Sequence, residues 1–242
     1  MIGPLEVRYY GVLLAIGFLA SYFILKRLAK LENIKQEVIE EYLLWLAVSA
    51  LVGARLFHVF FYNWAYFSQN LLQILFIWQG GLASHGALLG GVIGSYVFAK
   101  KKNISLYTLT DLVVILVGLI AAAIRVGNFT NTELVGKITN ASWAVTFPGQ
   151  QGARHPVQLY QAAVNFVIFL SMTVLYYQKK WQPGILTWTF LGLYSIGRFI
   201  TEFYKDLPPY YLFNLNLAQL LSVFLFFTAA VMLSKIIKKR NV

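Results

Sequence analysis

Four short segments carry the residues best suited to chemistry. In Arg125-Val-Gly-Asn-Phe-Thr-Asn-Thr-Glu-Leu-Val-Gly136, an arginine, two asparagines (Asn128, Asn131) and Glu133 crowd together, and the run closes on Gly136. That density of donors and acceptors is what holding a polar lipid head requires, although Asn and Gly also suit a plain left-handed turn. In Tyr194-Ser-Ile-Gly-Arg-Phe-Ile-Thr-Glu202, Arg198 and Glu202 stand four apart, on one helix face. The pair can simply neutralise itself, yet a paired guanidinium still has N–H groups to offer a phosphate. In Arg154-His-Pro-Val-Gln-Leu-Tyr160, Pro156 suits the first turn of a helix and sets Gln158 and Tyr160 just inside it. The fourth segment runs from Trp78 to Gly94, where His85 stands among Gly80, Gly81, Gly86, Gly90, Gly91 and Gly94. Small residues at helical spacing let helices approach closely, and the same glycines could open backbone N–H groups to an anion. His85 itself reads equally as a packing residue or as a group that exchanges a proton near neutral pH.

The elements that must position these residues are membrane helices. The chain has 242 residues, 59% hydrophobic and 12% charged, with a mean hydropathy of +0.65. Soluble domains run near half apolar and a quarter charged, so a water-soluble globule is excluded. Disorder is excluded too, because unfolded segments lack apolar residues. Apolar stretches at 9–28, 38–62, 82–99, 106–124, 157–177, 185–203 and 215–233 are each near the ~20 residues of one crossing. A further stretch, 71–78, is too short to cross and is expected to be interfacial or re-entrant. The sequence thus predicts an all-α membrane protein of about seven transmembrane helices. A small extracytoplasmic head at about 126–156 is expected between spans four and five. With no internal repeat and no Pro/Gly-rich linker, residues 1–242 read as one polytopic domain.

Positive charge gives the orientation. Thirteen of the twenty Lys and Arg residues fall in the turns at 26–35, 100–102 and 179–180 and in the tail at 235–240. The positive-inside rule places these in the cytoplasm, with the N-terminus outside and the C-terminus inside. The net charge of +11 is therefore mostly topology signal, and nucleic acid is not needed to explain it. The N-terminus lacks a charged n-region and a small-residue cleavage site, so the first span is expected to be retained. Tyr and Trp at the span ends form an aromatic interface belt. The remaining cations differ in kind: five of the seven are arginines (Arg8, Arg55, Arg125, Arg154, Arg198). Arginine is suited to gripping a phosphate or carboxylate with two bonds. Arg55 and Arg198 lie in or near apolar spans, where an unpaired charge is costly, so both are functional candidates. There is no cysteine, which removes disulfides, thiolate metal sites and a cysteine nucleophile.

Taken in order, these motifs resemble the prolipoprotein diacylglyceryl transferase family of bacterial inner membranes. The resemblance spans nearly the whole chain. It rests on Arg8-Tyr-Tyr-Gly11, Gly53-Ala-Arg-Leu56 with Phe61-Tyr-Asn63, the Gly-Gly-x-x-x-His-Gly segment, Arg125–Gly136, Trp143-Ala-Val-x-Phe-Pro148, Arg154–Tyr160, Gly197-Arg-Phe-x-x-Glu202 and Gln219-Leu-Leu-Ser222. It implies transfer of a diacylglyceryl group from phosphatidylglycerol to the lipobox cysteine of a prolipoprotein signal peptide, with neither metal nor nucleotide. By that similarity Arg125 and Arg198 would take the phosphate, and Asn128 and Glu133 the glycerol head. His85 would be the base or a proton relay, Glu202 would orient Arg198, and Tyr10 would lie near the lipid. Arg55, Asn131, Gly136, Arg154, Gln158 and Tyr194 join them as substrate-binding candidates. This chain departs from the family pattern at Ala87 and Ala218, which are often glycine, at His58, often an aromatic, and at Lys205, frequently arginine.

Two other classes compete. A transporter also keeps Arg and Glu inside the membrane, but no inverted repeat is present and the polar groups gather toward one side. A non-catalytic lipid-binding protein would use the arginines without chemistry. The charge pattern yields a direct check: a reporter fused at Met1 should read as external and one fused at Val242 as cytoplasmic, and reversed signals would overturn the map.

Overall fold

The computed structural model describes residues 9–178, 181–206 and 214–240. Arg8, Lys179 and Lys180 lie outside them, as does the side chain of Tyr10. The apolar runs fold as helices because a segment in lipid must satisfy its own backbone N–H and C=O groups. The order is α1 (Tyr9–Leu31), α2 (Gln36–Phe57) continued by a π-helical turn (His58–Tyr62), α3 (Trp64–Phe67), 3-10 turns at Leu71–Leu75 and Ile77–Gln79, then α4 (Ser84–Lys102). There follow α5 (Leu106–Thr130), β1 (Val145–Thr146), β2 (Ala153–Arg154), α6 (Val157–Tyr177), α7 (Ile185–Glu202) and α8 (Leu217–Arg240).

Five helical segments among the described residues are long and apolar enough to cross a membrane: Gly11–Leu31, Gln36–Tyr62, Leu106–Thr130, Val157–Tyr177 and Leu217–Lys239. The chain is an all-α, multi-pass membrane protein. The other two expected spans are also helices, but α4 is glycine-rich and ends in three lysines, and α7 carries Arg198 and Glu202. Their polarity keeps them out of the five.

The chain divides into two compact units, residues 1–25 with 111–242 and residues 26–110, and the division falls within α1 and within α5. In the smaller unit α2 packs on α4. Gly53, Gly86 and Gly90 make that packing close: a Cβ on Gly53 would strike the Gly86 carbonyl, and one on Gly90 the Ser49 carbonyl. Tyr42 Oη and Ser95 Oγ, 2.9 Å apart, join the same two helices farther along.

In the larger unit α7 packs on both α6 and α8. Gly118 on α5 lies against Asn165 and Phe169 of α6, and Gly197 on α7 against Val164. Asp111 fixes the start of α7, accepting bonds from the Gly184 and Thr187 N–H groups at 2.6 and 2.8 Å and from the Thr187 hydroxyl. α8 opens with reciprocal bonds: Asn216 N–H donates to Gln219 Oε1 at 3.0 Å, and Gln219 N–H to Asn216 Oδ1 at 2.9 Å. This is a capping box in the Asn-x-x-Gln form. Between α5 and α6, β1 and β2 pair antiparallel, Val145 opposite Arg154.

Overfilling the α2–α4 contact should unfold the smaller unit first. Gly53→Val or Gly90→Val is expected to cost ~1–3 kcal/mol or more, read as a lower melting temperature in detergent. Gly11→Ala, where a Cβ meets nothing within 4 Å, should leave the melting temperature unchanged.

Candidate functional site

The larger unit gathers most of the candidate residues at one end of α5, α6 and α7. α5 does not stop at Arg125: it runs on through Asn128 to Thr130, so Arg125 and Asn128 sit one turn apart on a helix. Arg125 Nη1 donates to Asn128 Oδ1 at 3.2 Å, and Asn128 Nδ2 donates to Glu133 Oε2 at 2.6 Å. Asn131 Nδ2 reaches the other carboxylate oxygen of Glu133 at 3.2 Å. Gln158, at the start of α6, donates to the Glu133 carbonyl at 2.6 Å. The left-handed residues of this turn are Thr132 (φ 58) and Leu134 (φ 54), not the asparagines or glycines. Such backbone costs roughly 1–2 kcal/mol per non-glycine residue, and the bonds to both ends of Glu133 offset it.

Arg198 approaches from α7. Its Nε is 3.2 Å from Glu202 Oε2, and Glu202 also pairs with Lys205 Nζ at 3.2 Å. Glu202 and Lys205 are both buried. Arg125 and Arg198 line the same cavity of about 200 Å³, together with Tyr194, Gln161, Asn165 and Thr201. That is below the ~300 Å³ at which drug-sized sites begin, so it suits a head group rather than a whole lipid. Among the described residues Arg198 is held only through Nε, which leaves its two Nη groups for a ligand. Two guanidiniums on one small cavity at the end of apolar helices have the chemistry to receive an anion.

Arg154, on β2, is buried and engaged by protein. Its Nη1 donates to the Gly136 carbonyl at 3.0 Å and to Asp206 at 2.7 Å, and its Nε to the Gln151 carbonyl at 3.0 Å. Gly136 belongs to this construction: a Cβ there would strike His155 and Val157, and its N–H donates to the His155 carbonyl at 3.2 Å. Tyr160 Oη accepts from Trp143 Nε1 at 2.7 Å and lies 3.0 Å from His155 Nδ1. These bonds hold residues 136–156 against the start of α6.

Gln161 and Asn165 are the residues that sequence reasoning missed. Both are buried, and Gln161 Nε2 donates to Thr201 Oγ1 at 3.3 Å. The available signal was two amides four apart on an otherwise apolar span.

His85 and Arg55 belong to the smaller unit. His85 is exposed in the first turn of α4, its ring 6.1 Å from that of Phe57. Arg55 is buried on α2, and every one of its donors meets a main-chain carbonyl between Gln73 and Gly81.

The model of the family described as prolipoprotein diacylglyceryl transferase matches residues 1–235. The chain belongs to that family. Relatives named phosphatidylglycerol–prolipoprotein diacylglyceryl transferase agree with this. That of Finegoldia magna is 36% identical over 219 residues, 90% of this chain and 87% of its own length. That of Tolumonas auensis is 38% identical over 208 residues, 84% and 80% of the two chains, and that of Geobacter sulfurreducens 33% over 208 residues, 85% and 80%.

Lys205 makes the charge around this cavity sensitive to pH. Burial, with the Arg198 and Arg125 charges, pulls its ammonium down to about 8 against the opposing pull of Glu202. Below that value Lys205 is charged and shares Glu202 with Arg198. Above it one positive charge near Arg198 and Arg125 disappears. Binding of an anionic phospholipid should therefore weaken as pH rises through about 8, measured by titration in detergent. Lys205→Arg should flatten that limb, because arginine stays charged.

Proposed function

We propose that the chain transfers the sn-1,2-diacylglyceryl group from phosphatidylglycerol to the lipobox cysteine thiol of prolipoproteins. The products are a thioether and glycerol 1-phosphate, and the reaction opens bacterial lipoprotein maturation. The observation that carries this reading is the convergence of Arg125 and Arg198 on one cavity in a chain of this family. In the reaction the thiol sulfur bonds to glycerol C3 as the C3–O bond breaks, and that electron pair leaves on the phosphate. The barrier falls when fixed cationic donors meet the negative charge that develops there. Two arginines with bidentate capacity supply such donors.

The other residues follow from their partners. Asn128, Asn131 and Glu133 hold one another and present polar atoms to the glycerol head. Gln158 and Gly136 fix the turn that carries them. Tyr194 lines the cavity, and Tyr10 is assigned to the lipid site on the family resemblance alone. Arg154 braces the segment 136–156 at the edge of the lipid site, and Glu202, with Lys205, orients Arg198. His85 is the base or relay that receives the thiol proton, favoured by its exposure in the first turn of α4 and by the capacity of an imidazole nitrogen to accept a proton and pass it on. Residues 1–242 form a single polytopic domain of the bacterial inner membrane. It has seven crossings, with α4 and α7 completing the set. The N-terminus lies outside, the C-terminus inside, and the site with its head loop faces outward. The lysine-rich turns support that orientation.

The test uses purified protein in detergent, phosphatidylglycerol and a peptide bearing one lipobox cysteine. Peptide mass and glycerol phosphate release are followed together. The reading expects a diacylglyceryl mass gain matched one-to-one by glycerol phosphate. Arg125→Ala and Arg198→Ala should each lower turnover by about 10²-fold or more while the melting temperature holds. Lipid binding without either product would favour a purely lipid-binding protein, and near-normal turnover in either variant would remove that arginine from the site.

A further inference from the structure

Arg55 is a buried cation with no carboxylate partner among the described residues, and its surroundings explain how it is tolerated. Its Nε donates to the Ile74 carbonyl at 2.8 Å, Nη1 to Gly80 and Gly81 at 2.6 and 3.2 Å, and Nη2 to Gln73 and Phe76 at 2.5 and 3.3 Å. A guanidinium has five N–H groups, and all five are used. The Phe67 ring lies 4.9 Å from the guanidinium carbon. Gly80 (φ 88) and Gly81 (φ 73) have the left-handed backbone that turns their carbonyls inward, and a Cβ on Gly81 would meet Arg55 Nη1 and His58 Nε2 at 2.8 Å.

The side chains of this segment face the other way. Leu72 is 76% exposed, Trp78 74% and Leu75 68%, with Trp64, Tyr66 and Leu71 also outward. From Leu56 to Ala99 the sequence has no Lys, Arg, Asp or Glu. The outward apolar surface is continuous with lipid-facing residues at both ends, Phe60 and Phe61 after α2 and Leu88 and Leu89 on α4. Irregular backbone is excluded from lipid unless its polar groups are satisfied by protein. Trp and Tyr beside leucines are the composition of a segment seated at head-group depth.

We propose that residues 64–82 lie in the membrane–water interface, side chains in the lipid, and that Arg55 is the positioning residue that permits this by satisfying their inward carbonyls. Arg55 thus shapes the segment leading into α4 instead of gripping lipid phosphate. The inference rests on the membrane fold and stands whether or not the transferase reading does.

The absence of cysteine makes the test clean. The intact chain carrying Leu72→Cys is spin-labelled and reconstituted in phosphatidylcholine–phosphatidylglycerol vesicles. Accessibility to oxygen and to a water-soluble nickel chelate is then measured. Leu88→Cys on α4 serves as the lipid reference and Gln150→Cys, in an exposed polar turn, as the aqueous one. The label at residue 72 should favour oxygen, as at residue 88. Nickel access equal to that at residue 150 would overturn the proposal, as would shielding from both reagents, the signature of a protein contact. Arg55→Lys, with three donors, should shift the ratio toward the aqueous reference. Gly81→Ala, which displaces the carbonyls and leaves Arg55 intact, should do the same. An unchanged ratio in either variant, once folded, would remove Arg55 from this role.

Discussion

A guanidinium near hydrocarbon must be surrounded by acceptors, because an unpartnered charge there costs several kcal/mol. Much of this chain's polar architecture is a response to that constraint. Arg55 is enclosed by five carbonyls, and Arg154 by two carbonyls and Asp206. Among the described residues Arg198 is paired through Nε with Glu202, and it shares a cavity with Arg125. Enclosed arginines organise backbone, whereas the proposed function draws on the pair that lines a cavity.

Support extends outward from that pair. Asn128 connects Arg125 to Glu133, and Glu133 is gripped again by Asn131 and, through its carbonyl, by Gln158. Glu202 is shared by Arg198 and Lys205. Side chains fixed in this way lose little freedom when a ligand binds, which is how preorganised donors exceed what loose ones achieve. Backbone close packing does the complementary work. Gly118 and Gly197 seat α5 and α7 against α6, and Asp111 sets the start of α7.

The helices were legible in the sequence because a lipid environment permits few alternatives to a helix for a long apolar run. The runs at 157–177 and 185–203 correspond to α6 and α7 almost residue for residue. The segment after Arg125 was harder. Asn and Gly advertise a turn, yet they stay helical to Thr130, and the left-handed positions fall to Thr132 and Leu134, which carry no such signal. The two-residue strands at 145–146 and 153–154 are too short to leave a periodicity. For the site, sequence could single out the arginines as needing partners. It could not say whether those partners are ligands or main-chain carbonyls, because a carbonyl has no residue type. Arg55 and Arg198 therefore look alike in sequence and differ in space: one is surrounded by main-chain carbonyls, and the other lines a cavity. Gln161 and Asn165 were passed over because an amide among apolar residues carries no charge to flag it.

The central claim is that Arg125 and Arg198 act on one phosphate. A double-mutant cycle on kcat/KM with Arg125→Lys and Arg198→Lys tests it most directly, since lysine keeps the charge and loses the planar fork. If both grip the same group, the double variant should lose much less than the product of the single losses, a coupling of about 1–3 kcal/mol. Losses that simply multiply would mean that the two arginines serve separate sites, and would contradict the account.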